Sequence, residues 1–179
     1  MKNNLKIISL TVLVSTVILG CSTDSGKNNK SKNTEKSSDA HSLATVTFKD
    51  DKIKSIYTHY IHLKDALVKS DEKTAQSAAS ELQSALTNAG KTNGAVLAGK
   101  ISAKADIKVQ RAEFNMLTSE IEGMISSGAI SAGKIYKQYC PMAYEGNGAY
   151  WLASEPEIRN PYYGDEMLEC GEVKKEIMK

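Results

Sequence analysis

The stretch DDKIKSIYTHYIHLKDALVK, residues 50–69, decides the fold. Its apolar side chains recur at Ile53, Ile56, Tyr57, Tyr60, Ile61, Leu67 and Val68, the three-and-four spacing that lays one apolar stripe along an α-helix. A first helix over 50–69 is therefore predicted. Ser70-Asp71 then supplies an N-cap and a negative first turn for a second, Ala-rich helix carrying Ala75, Ala78, Ala79, Leu82 and Leu86, with Gly90 as its stop. Beyond the break at 90–94, Val96, Leu97, Ile101, Ile107, Val109, Ala112, Leu117, Ile121, Met124 and Ile125 trace a long helical stretch, interrupted near Ser102 and closed by Gly128. Connections this short make neighbouring helices antiparallel. The expected class is mostly α, an up-and-down bundle of three to four helices.

Towards the N-terminus the pattern changes twice. Met1-Lys-Asn-Asn-Leu-Lys is a short basic region, residues 7–19 are apolar, and Ile18-Leu19-Gly20-Cys21 places a small residue before a cysteine. This order reads as a secretory signal of the lipoprotein kind, residues 1–20, leaving Cys21 as a lipid-modified N-terminus. An apolar run of roughly thirteen residues is too short to cross a hydrocarbon core of about 30 Å. Residues 21–45, mostly Ser, Lys, Asn, Asp and Thr, have too little to bury to offset the entropy of ordering, and read as a flexible tether. The remaining chain, 46–179, is enough for one domain. Localisation follows: the cell envelope, periplasmic side, held to the membrane through Cys21, with Ser22 pointing to the outer rather than the inner membrane.

The formal charge is +2, and Lys2 and Lys6 leave with the signal, so the mature chain is near neutral. Its lysines are interleaved with acids, without a basic stripe or aromatic platform, which excludes a phosphate-backbone binder. Gly90-Lys91-Thr92 resembles the end of a phosphate loop, but Ala85 stands where the first glycine is required. No serine has a nucleophile elbow or a His–acid partner, so no enzyme is expected.

Towards the C-terminus, residues 134–171 break the helical rhythm. The run 138–171 holds two Cys, two Met, the single Trp and all three Pro. Ile135–Cys140 and Ala149–Ala153 are strand formers around the turn chemistry of Glu145-Gly-Asn-Gly148, which predicts a small β-hairpin. Asn160-Pro161-Tyr162-Tyr163-Gly164 reads as a turn in which Gly164 takes positive φ. Residues 171–179 are expected to add a brief helix with Val173 and Ile177 inward.

Cys140 and Met142 are two apart, on one side of an extended backbone, while Met167 and Cys170 are three apart, on one face of a helical turn. Thiolate and thioether together are soft donors that suit copper as Cu(I), whereas zinc favours Cys and His, and Ca²⁺ or Mg²⁺ oxygen. The candidate metal set is Cys140, Met142, Met167 and Cys170. The alternative is a disulfide: with Cys21 lipidated two thiols remain in an oxidising compartment, and a bridge between them contributes roughly 3 to 4 kcal/mol in the chain-entropy description. Both readings stay open on spacing alone. Trp151, Tyr139, Tyr150, Tyr162 and Tyr163 serve either as a dry wall beside a metal or as a second core. His59 and His62, three apart on the first helix, fall beside or opposite its apolar stripe and are expected to face solvent; Met116 and Met124 are expected in the core.

The strings YCPMA, GAYWL, EIRNPYYGDEML and CGEV, with Leu63–Val68 and Ser70-Asp71 upstream, resemble the signature of an uncharacterised bacterial envelope domain. That domain occurs as stand-alone lipoproteins and at the C-terminus of periplasmic adaptor subunits of heavy-metal efflux pumps, chiefly in Bacteroidota. The resemblance implies helical architecture, an association with copper or other heavy metals through Cys140, Met142, Met167 and Cys170, and an efflux adaptor as partner. The functional expectation is an envelope lipoprotein that buffers or carries Cu(I); the alternative is a disulfide-stapled interaction module.

Overall fold

The computed structural model describes residues 46–126 and 128–179. The signal, the lipidation site Cys21 and the tether lie outside the described residues.

Four helices form in the expected order: α1 Asp51–Val68, α2 Glu72–Asn88, α3 Thr92–Ser102 and α4 Ile107–Ser126. The interruption expected near Ser102 is the α3–α4 break. Asp side chains start three of them: Asp50 accepts from Lys52 N at 2.7 Å, Asp71 from Thr74 N at 3.0 Å, and Asp106 from Lys108 N at 2.7 Å. Each α1 core position in the opening stretch, Ile56, Tyr57, Tyr60, Ile61, Leu67 and Val68, is buried, with Ile53 partly so. Ala75, Ala78 and Ala79 let α2 pack closely against α1. Met124 packs partly against the core, while Met116 is exposed. No described helix is long and apolar enough to cross a membrane.

Two small antiparallel sheets complete the fold. A short strand β1, Thr47–Phe48, pairs with β2, Ile130–Ala132, just after α4. The second sheet joins β3 Lys134–Cys140, β4 Ala149–Ala153 and β5 Glu172–Met178 in the order β4-β3-β5. The β3–β4 pair is the expected hairpin. The expected C-terminal helix is corrected to β5: Ile177 is buried as anticipated, but Val173 is exposed, and strand pairing with β3 overrides the helix preference of Glu and Lys.

The sheet is bolted to the helices by polar pairs inside the core. Tyr60 stacks on Phe114 and its hydroxyl hydrogen-bonds Thr118 at 2.9 Å while accepting from Leu152 N of β4 at 3.1 Å. Lys64 is fully buried and donates to Glu155, just past β4, at 2.5 Å, and lies 2.8 Å from Asp65. Gln138 of β3, also buried, donates from its amide to the carbonyls of Glu155, Pro156 and Glu157, fixing that turn.

Candidate sulfur site

Sheet register brings the two cysteines together. β3 pairs with β5 through Gln138↔Val173 and Tyr139↔Glu172, so the residues just before β5 arrive beside the end of β3. Cys140 ends β3, fully buried, and Cys170 is half-buried; their sulfurs lie 2.7 Å apart, and both cysteines are free. The hydrogen bond with Cys140, and then burial, push the Cys170 thiol up to about 11. It is therefore a neutral thiol near neutrality, and a metal must displace its proton to bind it.

Asn160 holds Cys170 in place. Fully buried, it donates to the Cys170 carbonyl at 2.8 Å, accepts from Tyr162 N on its side chain at 2.8 Å, and pairs its own N–H with the Leu168 carbonyl at 2.8 Å. The NPYYG turn is anchored in turn by Arg111 of α4, which donates to Pro161 O at 2.8 Å and to Leu67 O and Ser70 Oγ at 2.9 Å each. Gly164, at φ +57, sits where a Cβ would come within 2.8 Å of Val68 O. Only a residue without a side chain fits there. Asn160 and Arg111 were not legible as site residues from spacing; the clue was Asn before Pro at the head of the NPYYG turn.

The two methionines lie on the turns that flank this pair. Pro141 and Met142 are the central residues of a turn closed by Ala143 N to Cys140 O at 3.3 Å. Cys140 and Met142 thus do not share an extended backbone: Cys140 is buried and Met142 is exposed. Met167 follows a 3-10 turn, Gly164–Glu166, and the segment 167–170 is a β-turn closed by Cys170 N to Met167 O at 3.1 Å, in place of the expected helical turn. A hydrogen bond from Tyr163 to Met142 O, 2.6 Å, ties the two sulfur-bearing turns to each other.

The aromatic residues divide between the two roles expected of them. Trp151 is fully buried, meets Tyr162 edge-on at 6.2 Å, and its indole N–H makes no hydrogen bond. Gly171 takes φ +150, and a Cβ there would fall 2.8 Å from that indole, so the chain leaving Cys170 runs against the Trp151 face. Tyr139 and Tyr150 pair at 4.6 Å on the more exposed side, and Tyr144, Tyr162 and Tyr163 wall a cleft of about 500 Å³ with Lys108, Arg111 and Glu166. His59 is half-buried and not turned out to solvent as expected, while His62 is exposed.

Residues 56–133 match the family described as "Protein of unknown function (DUF3347)". The match runs from within α1 through β2 and stops before β3, so it covers the helices and none of the four sulfur residues. No curated protein and no solved structure matches the chain.

Proposed function

We propose that this protein is a lipid-anchored envelope protein that binds copper as Cu(I) in heavy-metal homeostasis, as a buffer or as a carrier that hands the ion to an efflux adaptor. The observation that carries the proposal is the meeting of Cys140 and Cys170, thirty residues apart in sequence, with sulfurs 2.7 Å apart at the edge of an aromatic core. Soft sulfur donors of this kind suit Cu(I) above the harder first-row ions. Metal–sulfur bonds of about 2.3 Å set two sulfurs on one ion roughly 3.8 to 4.6 Å apart, so loading spreads the pair by about 1 to 2 Å. Cys140 is fixed in the sheet; Cys170, on a half-buried turn, is the one to move. Met142 and Met167 complete the donor set from the flanking turns. The aromatic wall limits water and oxidant at the ion, and ligation by few sulfurs leaves room for transfer by ligand exchange.

The test is a titration of reduced, metal-free protein with Cu(I) against a chromophoric chelator. One equivalent should bind, and Cys170→Ser combined with Met167→Leu should weaken it at least a hundredfold. Unchanged affinity in that variant ends the proposal.

A second reading draws on the same separation, which is well inside non-bonded contact for two sulfur atoms, and on the Tyr-walled cleft beside it. In it the cysteines form a staple and the cleft docks an envelope partner. Mass measured with and without reductant after anaerobic native purification separates the two: a shift of two hydrogens favours the staple, and none favours the dithiol.

A further inference from the structure

Helix α1 carries a second group of donors that shares no residue with the sulfur pair. His59 and His62 stand one turn apart on α1, their rings meeting edge-to-face at 6.2 Å, and Glu81 reaches across from α2. One ligand atom from each of the three lies within 4.8 Å of the other two, the one such group of His, Cys, Asp and Glu among the described residues. His59 Nδ1 is shielded from solvent and makes no hydrogen bond, although Glu81 Oε2 is 3.3 Å away. The separation suits an ion pair with a protonated ring, but the two atoms are not aligned as donor and acceptor. A shielded ring nitrogen without a partner costs stability, and a cation would meet it.

We propose that His59, His62 and Glu81 form a three-ligand site for a borderline divalent cation of the zinc type, clasping α1 to α2. Bonds of about 2.0 to 2.2 Å in a tetrahedron put neighbouring ligand atoms roughly 3.3 to 3.5 Å apart, the separation that His59 Nδ1 and Glu81 Oε2 already have. His62 and Glu81 are exposed, so their side chains have the freedom to close the remaining distance. Two imidazoles and one carboxylate are zinc's preferred donors. They are too few oxygens for Ca²⁺ or Mg²⁺ and lack the sulfur that Cu(I) selects. Three protein ligands leave the fourth position to water or to a group from another molecule. A simple His59–Glu81 ion pair, by contrast, has no use for His62.

The probe is zinc chloride added to the whole chain, free of any histidine tag, with imidazole nitrogens followed by ¹⁵N NMR. One equivalent should shift the nitrogens of both His59 and His62. His62→Gln and Glu81→Gln, both at exposed positions, should each lower the affinity at least tenfold while the far-ultraviolet circular dichroism is unchanged. Cys170→Ser should leave the imidazole response intact, which keeps this result independent of the sulfur site. An unmoved His62 ring, a fall of less than tenfold in either variant, or loss of the response in Cys170→Ser overturns the proposal.

Discussion

Asn160 and Cys170 show how a single buried amide sets up the chemistry of its neighbours. Asn160 joins the NPYYG turn to the Cys170 carbonyl through both ends of its side chain, and neither end has water to replace those bonds. Asn160→Ala is expected to cost about 3 kcal/mol, because it strands a buried carbonyl and a buried N–H together. It should also free the Cys170 turn, so that alkylation of Cys170 speeds up under native conditions; chemical denaturation and timed iodoacetamide labelling check the two effects. The Cys170 thiol raised to about 11 gives a pH sign for metal loading. Since the proton must leave as Cu(I) binds, apparent affinity should rise by about tenfold per pH unit for each proton displaced, as long as the pH stays below that value. Cu(I) affinity measured against a chelator at several pH values between 6 and 8 should show this slope. A flat profile would mean that the thiol is not the ligand.

The element hardest to read was β5. Glu172-Val-Lys-Lys-Glu-Ile-Met178 is rich in helix formers and buries a single side chain, Ile177, so period alone could not tell a short helix from an edge strand. Its Lys and Glu residues are those that keep an exposed edge from pairing with other chains. Because β5 was missed, so was the register that joins the cysteines, and the sequence reading treated them as two separate pairs. The helices were legible because their apolar period is long and their caps are Asp and Gly. The bolt between α1 and the turn after β4 was not, since Lys64 reads as a solvated charge until the fold buries it against Glu155. Lys64→Met alone should destabilise by about 3 to 5 kcal/mol, leaving Glu155 buried and unpaired, and adding Glu155→Leu should recover much of that loss. Equal losses in the single and double variants, measured by urea unfolding, would refute the bolt. Gly164→Ala is expected to be as damaging as a core cavity, through positive φ and contact with the Val68 carbonyl, and to separate the NPYYG turn from α1.

Across the whole molecule, the class and the helical order were legible in the sequence, while the placement of the sulfur residues depended on non-local strand pairing, which carries no local signal. Family resemblance supplied the metal association, and the match over 56–133 covers only the helical part. The buried phenols make a further whole-fold expectation. Burial raises Tyr57, Tyr60 and Tyr162 above the ordinary phenol value, and Cys170 rises with them. The unfolded chain releases these protons from about pH 9 to 10, whereas the folded one retains them, so the unfolded state binds fewer protons and stability must fall as pH climbs through that range. Below about pH 9 this contribution is complete. Urea midpoints should be level from about pH 7 to 9 and drop at about pH 10.5; a level midpoint throughout would remove these groups from the account.

The central claim is that Cys140 and Cys170 are a soft-metal dithiol, and X-ray absorption at the copper edge of Cu(I)-loaded protein tests it most directly. The account predicts a first shell of sulfur alone at about 2.3 Å, lost when Cys170 is replaced by Ser. A first shell of nitrogen or oxygen, or a sulfur shell unchanged in Cys170→Ser, would contradict it.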